Sequence, residues 1–532
     1  MARTVFIIML ACFFAACTDR RELVPETPGT PAARDPVSQK VVVSEEVIPS
    51  QAPAVNGQAP AACDSIHYLR FRLATDTGAP LAARAVVIMI PGYLGGAGSF
   101  SYFARALVAL AGSANPVEVW ALDRRSNCLE DQTGMQEAES LRDPQAAVDY
   151  YYNGASIGGV KFSGFYDQAD TPYLSEFGLK LAMEDIYTIL QKKIPNPADR
   201  KNTVFIAGHS MGAEVAAVFA AWDFDNDATT PEDAGFNNCA GLIGLEGRVS
   251  MWSSTPTRQK KYEQQLAQLR AAEQSKPFIT PEAMALIELL GLYAAFEPGS
   301  ESTVLRSISV TPATAALVKY FTTYGLEPSA LKPALGDFHL SNEAMLGLFA
   351  DDNFQPISIG RVSLGFLAGG PVVRRRTLLG GDRLFAPADS AAFYTWTNFD
   401  AIGTADDPDF TDTTGRVVLT TAESEVTDIQ NYARVLFEDP LNFYEWYFPG
   451  RLSLDLGIVA APFRAAYGIN TLYLDTIASL PKKEFFAKDI PGYDHLDVLC
   501  AAADRTQRRQ NEIIGPLLDF VLENSTGTVL IP

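Results

Sequence analysis

Residues 202–222 constrain this chain more than any other stretch. Asn202–Ala207 is a short β-branched and aromatic run, Ala213–Trp222 is small-residue helical sequence, and only Gly208-His209-Ser210-Met211-Gly212 lies between them. A buried strand must therefore become a helix almost at once. A side chain at Gly208 or Gly212 would crowd so tight a corner. The residue at its apex, Ser210, takes a strained backbone and presents its hydroxyl outward. The amides that follow lie at a helix N-terminus, where negative charge is favoured.

The flanking sequence repeats the same strand-then-helix rhythm. Ile66–Ala74 alternates like an edge strand, and Arg84–Ile90 is a nearly continuous apolar run, as buried parallel strands are. Phe100–Ala111 reads as a helix, Val117–Leu122 as a strand, and Gly178–Lys193 as a helix stopped by Pro195 and Pro197. Ala240–Leu245, Asn470–Asp475 and Glu484–Asp489 read as further strands, with a last helix over roughly 507–522. Such alternation predicts an α/β fold with a mostly parallel sheet and helices on both faces.

The N-terminus reads as an address. Arg3 precedes an apolar run, Val5–Ala16, of signal-peptide length and too short to span a bilayer. Its end, Phe14-Ala15-Ala16-Cys17, resembles a bacterial lipoprotein cleavage box, which implies a signal peptide over 1–17 and lipid attachment at Cys17. Residues 18–61 hold seven prolines and no aromatic residue and read as a flexible tether. No other stretch is long and apolar enough for a transmembrane helix. The expected location is the bacterial cell envelope, anchored through the lipid to the outer membrane or cell surface; an ordinary signal peptide would instead make the protein periplasmic or secreted.

The whole sequence is 47% hydrophobic and 20% charged, as a packed globular protein is. A net charge of −21 without a large basic cluster argues against nucleic acid. Arg124-Arg125 and Arg374-Arg375-Arg376 read as solvated or structural charges. Beyond Cys12 and Cys17, Cys63, Cys128, Cys239 and Cys500 suggest two disulfides in an oxidising compartment, with the pairing open. None sits in a C-x-x-C, so no metal or redox centre is implied.

Taken in order, these motifs resemble the α/β-hydrolase superfamily. The likeness covers roughly 84–250 and 470–525. It rests on the Gly208–Gly212 corner, on Pro91-Gly92-Tyr93-Leu94-Gly95-Gly96 after the third strand, and on Gly492-Tyr493-Asp494-His495 before the last helix. The resemblance implies Ser210 as nucleophile, His495 as general base, and the Tyr93 and Met211 amides as oxyanion donors. Pro91 stands where the family usually has histidine. Of the other histidines, His209 points away from the serine in the family, His67 precedes the sheet, and His339 lies in the middle segment. The acid is open between Glu246, preferred because a strand ending in acid-Gly carries a carboxylate to the sheet's edge, and Asp475. Asp489 and Asp494 are close to His495 only along the chain.

The hydrolase core is then expected over 62–247 and 470–532, with 248–469 inserted as a mainly helical cap between strands six and seven. Thr280-Pro281 and Thr311-Pro312 open helices there, the second closed by Gly325. Arg258–Glu273 reads as a charged amphipathic stretch, and Gln355–Thr420 as irregular. The aromatic stretch Leu436–Phe448 reads as cap packing, with an acyl pocket as the alternative. The expected activity is hydrolysis of a small-molecule or lipid carboxylic ester through an acyl-enzyme, without cofactor or metal. Acyltransferase, thioesterase and amidase chemistry use the same residues. A non-catalytic binding protein on the same fold is the rival from another class.

Overall fold

The computed structural model describes residues 41–73, 81–225, 227, 229–249, 279–322, 335–375, 384–401, 425–438, 469–476, 485–501 and 511–531, with 260, 264 and 267 besides. The lipoprotein reading at Cys17 and most of Arg258–Glu273 and Leu436–Phe448 lie outside these residues, as does Gly325.

Eight strands form the central sheet: β1 (Val41–Pro49), β2 (Ser65–Leu73), β3 (Ala85–Ile90), β4 (Val117–Leu122), β5 (Val204–His209), β6 (Gly241–Arg248), β7 (Ile469–Thr476) and β8 (Phe485–Lys488). Their spatial order is β1-β2-β4-β3-β5-β6-β7-β8. The inner strands β4, β3, β5 and β6 are mutually parallel. β2 and β7 run against them, and β1 and β8 run with them. Six of the eight strands thus run one way, with helices on both faces, which is the α/β architecture expected.

One strand was not expected. β1 lies inside the stretch read as tether, yet pairs with β2 along its whole length, from Val41 opposite Leu73 to Pro49 opposite Ser65. The prolines that suggested disorder all fall outside 41–48, and Val41-Val42-Val43 is strand-forming sequence. Residues 41–49 therefore belong to the folded core, which was expected to start at 62.

β3 shows why the inner strands read as continuous apolar runs. Val86, Ile88 and Ile90 enter one core with Leu179, Met183 and Ile186 of α2 (Leu179–Lys193) and Val215 and Val218 of α3 (Met211–Ala221). Ala85, Val87 and Met89 enter the opposite core with Phe103 and Leu107 of α1 (Ser101–Ala111) and Leu517 and Val521 of the terminal helix Ile514–Asn524. Both faces are covered, so alternation of side has no alternation of polarity.

Residues 249–468 lie between β6 and β7. Their first part is helical: α4 (Pro281–Phe296) has Thr280 as N-cap, its hydroxyl accepting the Ala283 N–H, and a helix at Pro312–Thr322 follows. α5 (Asn342–Ala350) and α6 (Ile429–Phe437) complete the bundle. The stretch read as irregular instead carries short strands: Gly365–Ala368 and Phe393–Asn398, which share a sheet with His339–Leu340, and Val372–Arg375 and Leu384–Pro387, which pair with each other. Gly and Pro punctuate them closely, which hid the alternation in Phe393-Tyr-Thr-Trp-Thr-Asn398. The cap shares one apolar core with Met135, Tyr150, Tyr151 and Leu174.

Cys63 and Cys128 are disulfide-bonded, tying the start of β2 to the segment after β4. Cys239 and Cys500 are buried free thiols, so the second expected disulfide does not form. Each belongs to a different core and its Sγ instead meets a carbonyl of its own segment, Gly235 and Leu496.

Candidate active site

The corner after β5 has the conformation its glycines anticipate. Ser210 has φ 54° and ψ −121°. A Cβ at Gly208 would lie 2.1 Å from the carbonyl carbon of Gly212, and one at Gly212 would lie 2.1 Å from the Ile90 carbonyl oxygen. Both positions exclude any side chain, because main chain on α3 and β3 already fills the space. Met211, the first residue of α3, has an N–H that the helix cannot use, and it takes no partner among the described residues.

Two further segments close on this corner. Gly92 lies against it: a Cβ there would meet the His209 Nδ1 at 2.9 Å and the Ser210 Cβ at 3.0 Å. Gly247 does the same from β6, where a Cβ would lie 2.4 Å from the Ser210 carbonyl oxygen. The Ser210 N–H donates to the Leu245 carbonyl at 2.9 Å. Glu246 is thereby held beside the serine's main chain, half-buried and with φ 40°. Leu94 of the glycine-rich loop has φ 64°. Of the four non-glycine residues with positive φ among the described residues, Ser210 and Glu246 meet at this corner, and Leu94 lies two residues from Gly92. Such backbone strain collects where function over-determines geometry.

His495 arrives from the loop after β8, which runs in the same direction as β5 and so ends at the same edge. The buried His209 donates from Nε2 to the His495 carbonyl at 2.9 Å, and the two rings lie 4.8 Å apart. Burial and the neighbouring His209 push the His495 imidazole well below its ordinary range. Burial likewise lowers His209 to about 4. Both rings are therefore neutral near pH 7, the state a proton acceptor needs. Among the described residues the His495 ring makes no hydrogen bond to a carboxylate. The other two histidines are engaged elsewhere: His67 pairs with Glu45 and His339 with Glu301, both near the surface.

The alternative acid Asp475 is not brought to the serine. β7 runs antiparallel to β6, and Asp475 faces Leu242, near the start of β6. The corner meets β6 at Leu245. Strand direction, which the sequence does not display, carries the end of β7 away from the serine. Asp489 is exposed, and Asp494 is bonded by the Ser363 hydroxyl.

Three supporting residues escaped the sequence reading. Arg124, read as a solvated or structural charge, is buried and donates to the carbonyls of Pro91 (2.6 Å) and Gly92 (2.9 Å). It braces the loop that carries Tyr93. Only the adjacency of β3 and β4 reveals this. Arg125, also buried, pairs with Asp185 at 2.5 Å and donates to the carbonyls of Ser50 and Cys63. The buried Asp497 accepts N–H bonds from Ser363 and Asp494 and a hydroxyl bond from Thr427. It thereby stitches two cap segments to the His495 loop. The Leu496 N–H adds a bond to the Arg361 carbonyl at 3.0 Å.

No family model matches this chain, and no curated protein matches it. Solved structures similar to parts of it include a peroxisomal α/β-hydrolase from Saccharomyces cerevisiae, with 16% identity over 42% of this chain and 49% of that one, TM-score 0.21. An S-formylglutathione hydrolase from Staphylococcus aureus has 10% identity over 47% and 70%, TM-score 0.23. The carboxylesterase EstE1 from a metagenomic library has 14% identity over 43% and 54%, TM-score 0.20. The match spans about half the length of the first and third of these proteins.

Proposed function

We propose that this protein is an exported, lipid-anchored serine hydrolase that cleaves a carboxylic ester. The observation that carries the reading is the strained Ser210 corner, with Gly92, Gly247 and the His495 loop packed on it. Ser210 attacks the acyl carbon and His495 takes its proton. The negative charge that develops on the acyl oxygen is met by the Met211 N–H at the head of α3, with Tyr93 as second donor. The alcohol leaves with the proton from His495. Water then enters, loses a proton to His495, and releases the acid and free Ser210. Glu246 is the acid that orients the imidazole, supported by its place beside the corner. The glycine pattern, the neutral imidazole and the braced loop favour this over a binding role. The disulfide Cys63–Cys128 fits an oxidising compartment, and Cys17 is the attachment point in this reading.

A non-catalytic binding role is the second reading. It is favoured by the absence of a carboxylate hydrogen bond to His495 among the described residues.

The test uses the full-length protein in detergent with nitrophenyl esters of increasing acyl length, beside Ser210→Ala. Turnover abolished in the variant, with a fluorophosphonate probe labelling Ser210, supports the hydrolase. A folded protein that neither turns over nor labels supports the binding role. Mass spectrometry of the N-terminus tests acylation of Cys17.

A further inference from the structure

The loop between α3 and β6 gathers acidic side chains that the proposed chemistry does not use. Asp223, Asp225 and Asp233 place one carboxylate oxygen each within 4.8 Å of one another. Proximity alone would mean little, since acidic groups often cluster on surfaces.

The second observation is the state of Asp223. Its residue is 4% exposed, and its Oδ1 is sealed from solvent and takes no hydrogen bond. Asp233 has a buried, unpartnered Oδ1 in the same cluster. A buried carboxylate oxygen without a donor is costly, and three carboxylates gathered together add repulsion. Nearby cations are committed elsewhere: Arg200 donates to Asn238 Oδ1 and to the carbonyls of Ile194 and Pro195, and Lys201 donates to the Phe236 carbonyl. Burial and the neighbouring acids raise the carboxyls of Asp223 and Asp233 above their ordinary range.

We propose that Asp223, Asp225 and Asp233 bind a structural calcium ion. The donors are all oxygen, which suits a hard cation and not zinc or copper. Calcium holds its oxygen ligands at about 2.4 Å, so oxygens up to about 4.8 Å apart can share one ion. Three negative charges meet two positive ones, and Asp225, exposed to solvent, leaves the site open for the waters calcium also takes. The loop's own backbone is already set: the Asp225 carboxylate accepts the Asp227 N–H and the Thr230 hydroxyl. The ion would sit two residues beyond the end of α3, whose first turn follows Ser210. It would fasten that helix to the segment leading into β6. No catalytic step involves it.

The experiment follows thermal unfolding and terbium luminescence of the full-length protein. Calcium is expected to raise the Tm by about 3 °C over the chelated protein at saturating ion. Terbium is expected to luminesce on excitation of Trp222, the residue preceding Asp223, and to be displaced by calcium. Asp223→Asn and Asp233→Asn are expected to lose both responses. In chelator they are expected to unfold no earlier than wild type, because each removes repulsion. That last readout separates an ion site from a structural aspartate, whose loss would lower the Tm with or without calcium. No Tm shift and no terbium signal in wild type would overturn the proposal. An equal response to magnesium would overturn the assignment to calcium.

Discussion

The Arg124 brace gives the most discriminating prediction. Arg124→Met keeps the length and apolar stem of the side chain and removes its donors. The Pro91 carbonyl, bonded at 2.6 Å, then loses its donor, while the Gly92 carbonyl keeps the Gly95 N–H at 3.1 Å. An orphaned buried carbonyl costs about 1–3 kcal/mol. If about 2 kcal/mol of this held the Tyr93 amide in place, kcat falls about thirty-fold. The ceiling is the loss of one oxyanion donor, about 10²–10³. KM should change little, because the loop acts on the developing charge and not on the bound ester. Arg124→Lys keeps the charge but cannot fork to two carbonyls, and should fall between. The assay is steady-state hydrolysis of a nitrophenyl ester, with chemical denaturation alongside. A variant destabilised by about 2 kcal/mol with wild-type kcat would refute positioning. One unchanged in both would refute the brace.

Other consequences can be measured independently. His209 is held near pKa 4 by burial and has an ordinary value near 6.5, so the unfolded chain binds its proton first as pH falls. Its contribution to stability is full above about pH 6.5 and is lost towards pH 4, about 1.4 kcal/mol per unit. His209→Gln should remove that slope, so the difference between the two proteins' denaturation curves should change by about 3 kcal/mol across the window; a flat difference would contradict it. Replacing Cys63 and Cys128 by serine opens a loop of 65 residues and should cost up to about 4 kcal/mol, read by the same denaturation. Gly247→Ala puts a Cβ 2.4 Å from the Ser210 carbonyl oxygen and 2.6 Å from the Ala213 Cβ. Repacking should cost about 1–3 kcal/mol and slow fluorophosphonate labelling of Ser210; unchanged labelling would show that α3 need not move.

The sequence alone determined what neighbouring residues decide among themselves. The corner at Gly208–Gly212, the inner strands, the helices that cover them and the place of His495 before the last helix all follow from hydrophobic period, small residues and chain order. Each is a property of one short segment. The tertiary structure decided what depends on which segments meet. His209 reaches the carbonyl of His495 across 286 positions of chain, and Asp497 reaches Ser363 across 134. Arg124 meets the Pro91 carbonyl only because β3 and β4 are sheet neighbours, and Asp475 misses the serine because β7 runs backwards. The tether reading failed at β1 because a strand with modest apolar content is stabilised by the partner it pairs with. Cys63 found Cys128, while Cys239 and Cys500 were carried into separate cores. The three aspartates of the α3–β6 loop were visible as letters, but only packing showed that Asp223 is buried with its Oδ1 unpartnered. Hydrophobic pattern fixes where a segment buries itself, whereas strand direction, register and pairing are set by the free energy of the whole sheet and its covering layers.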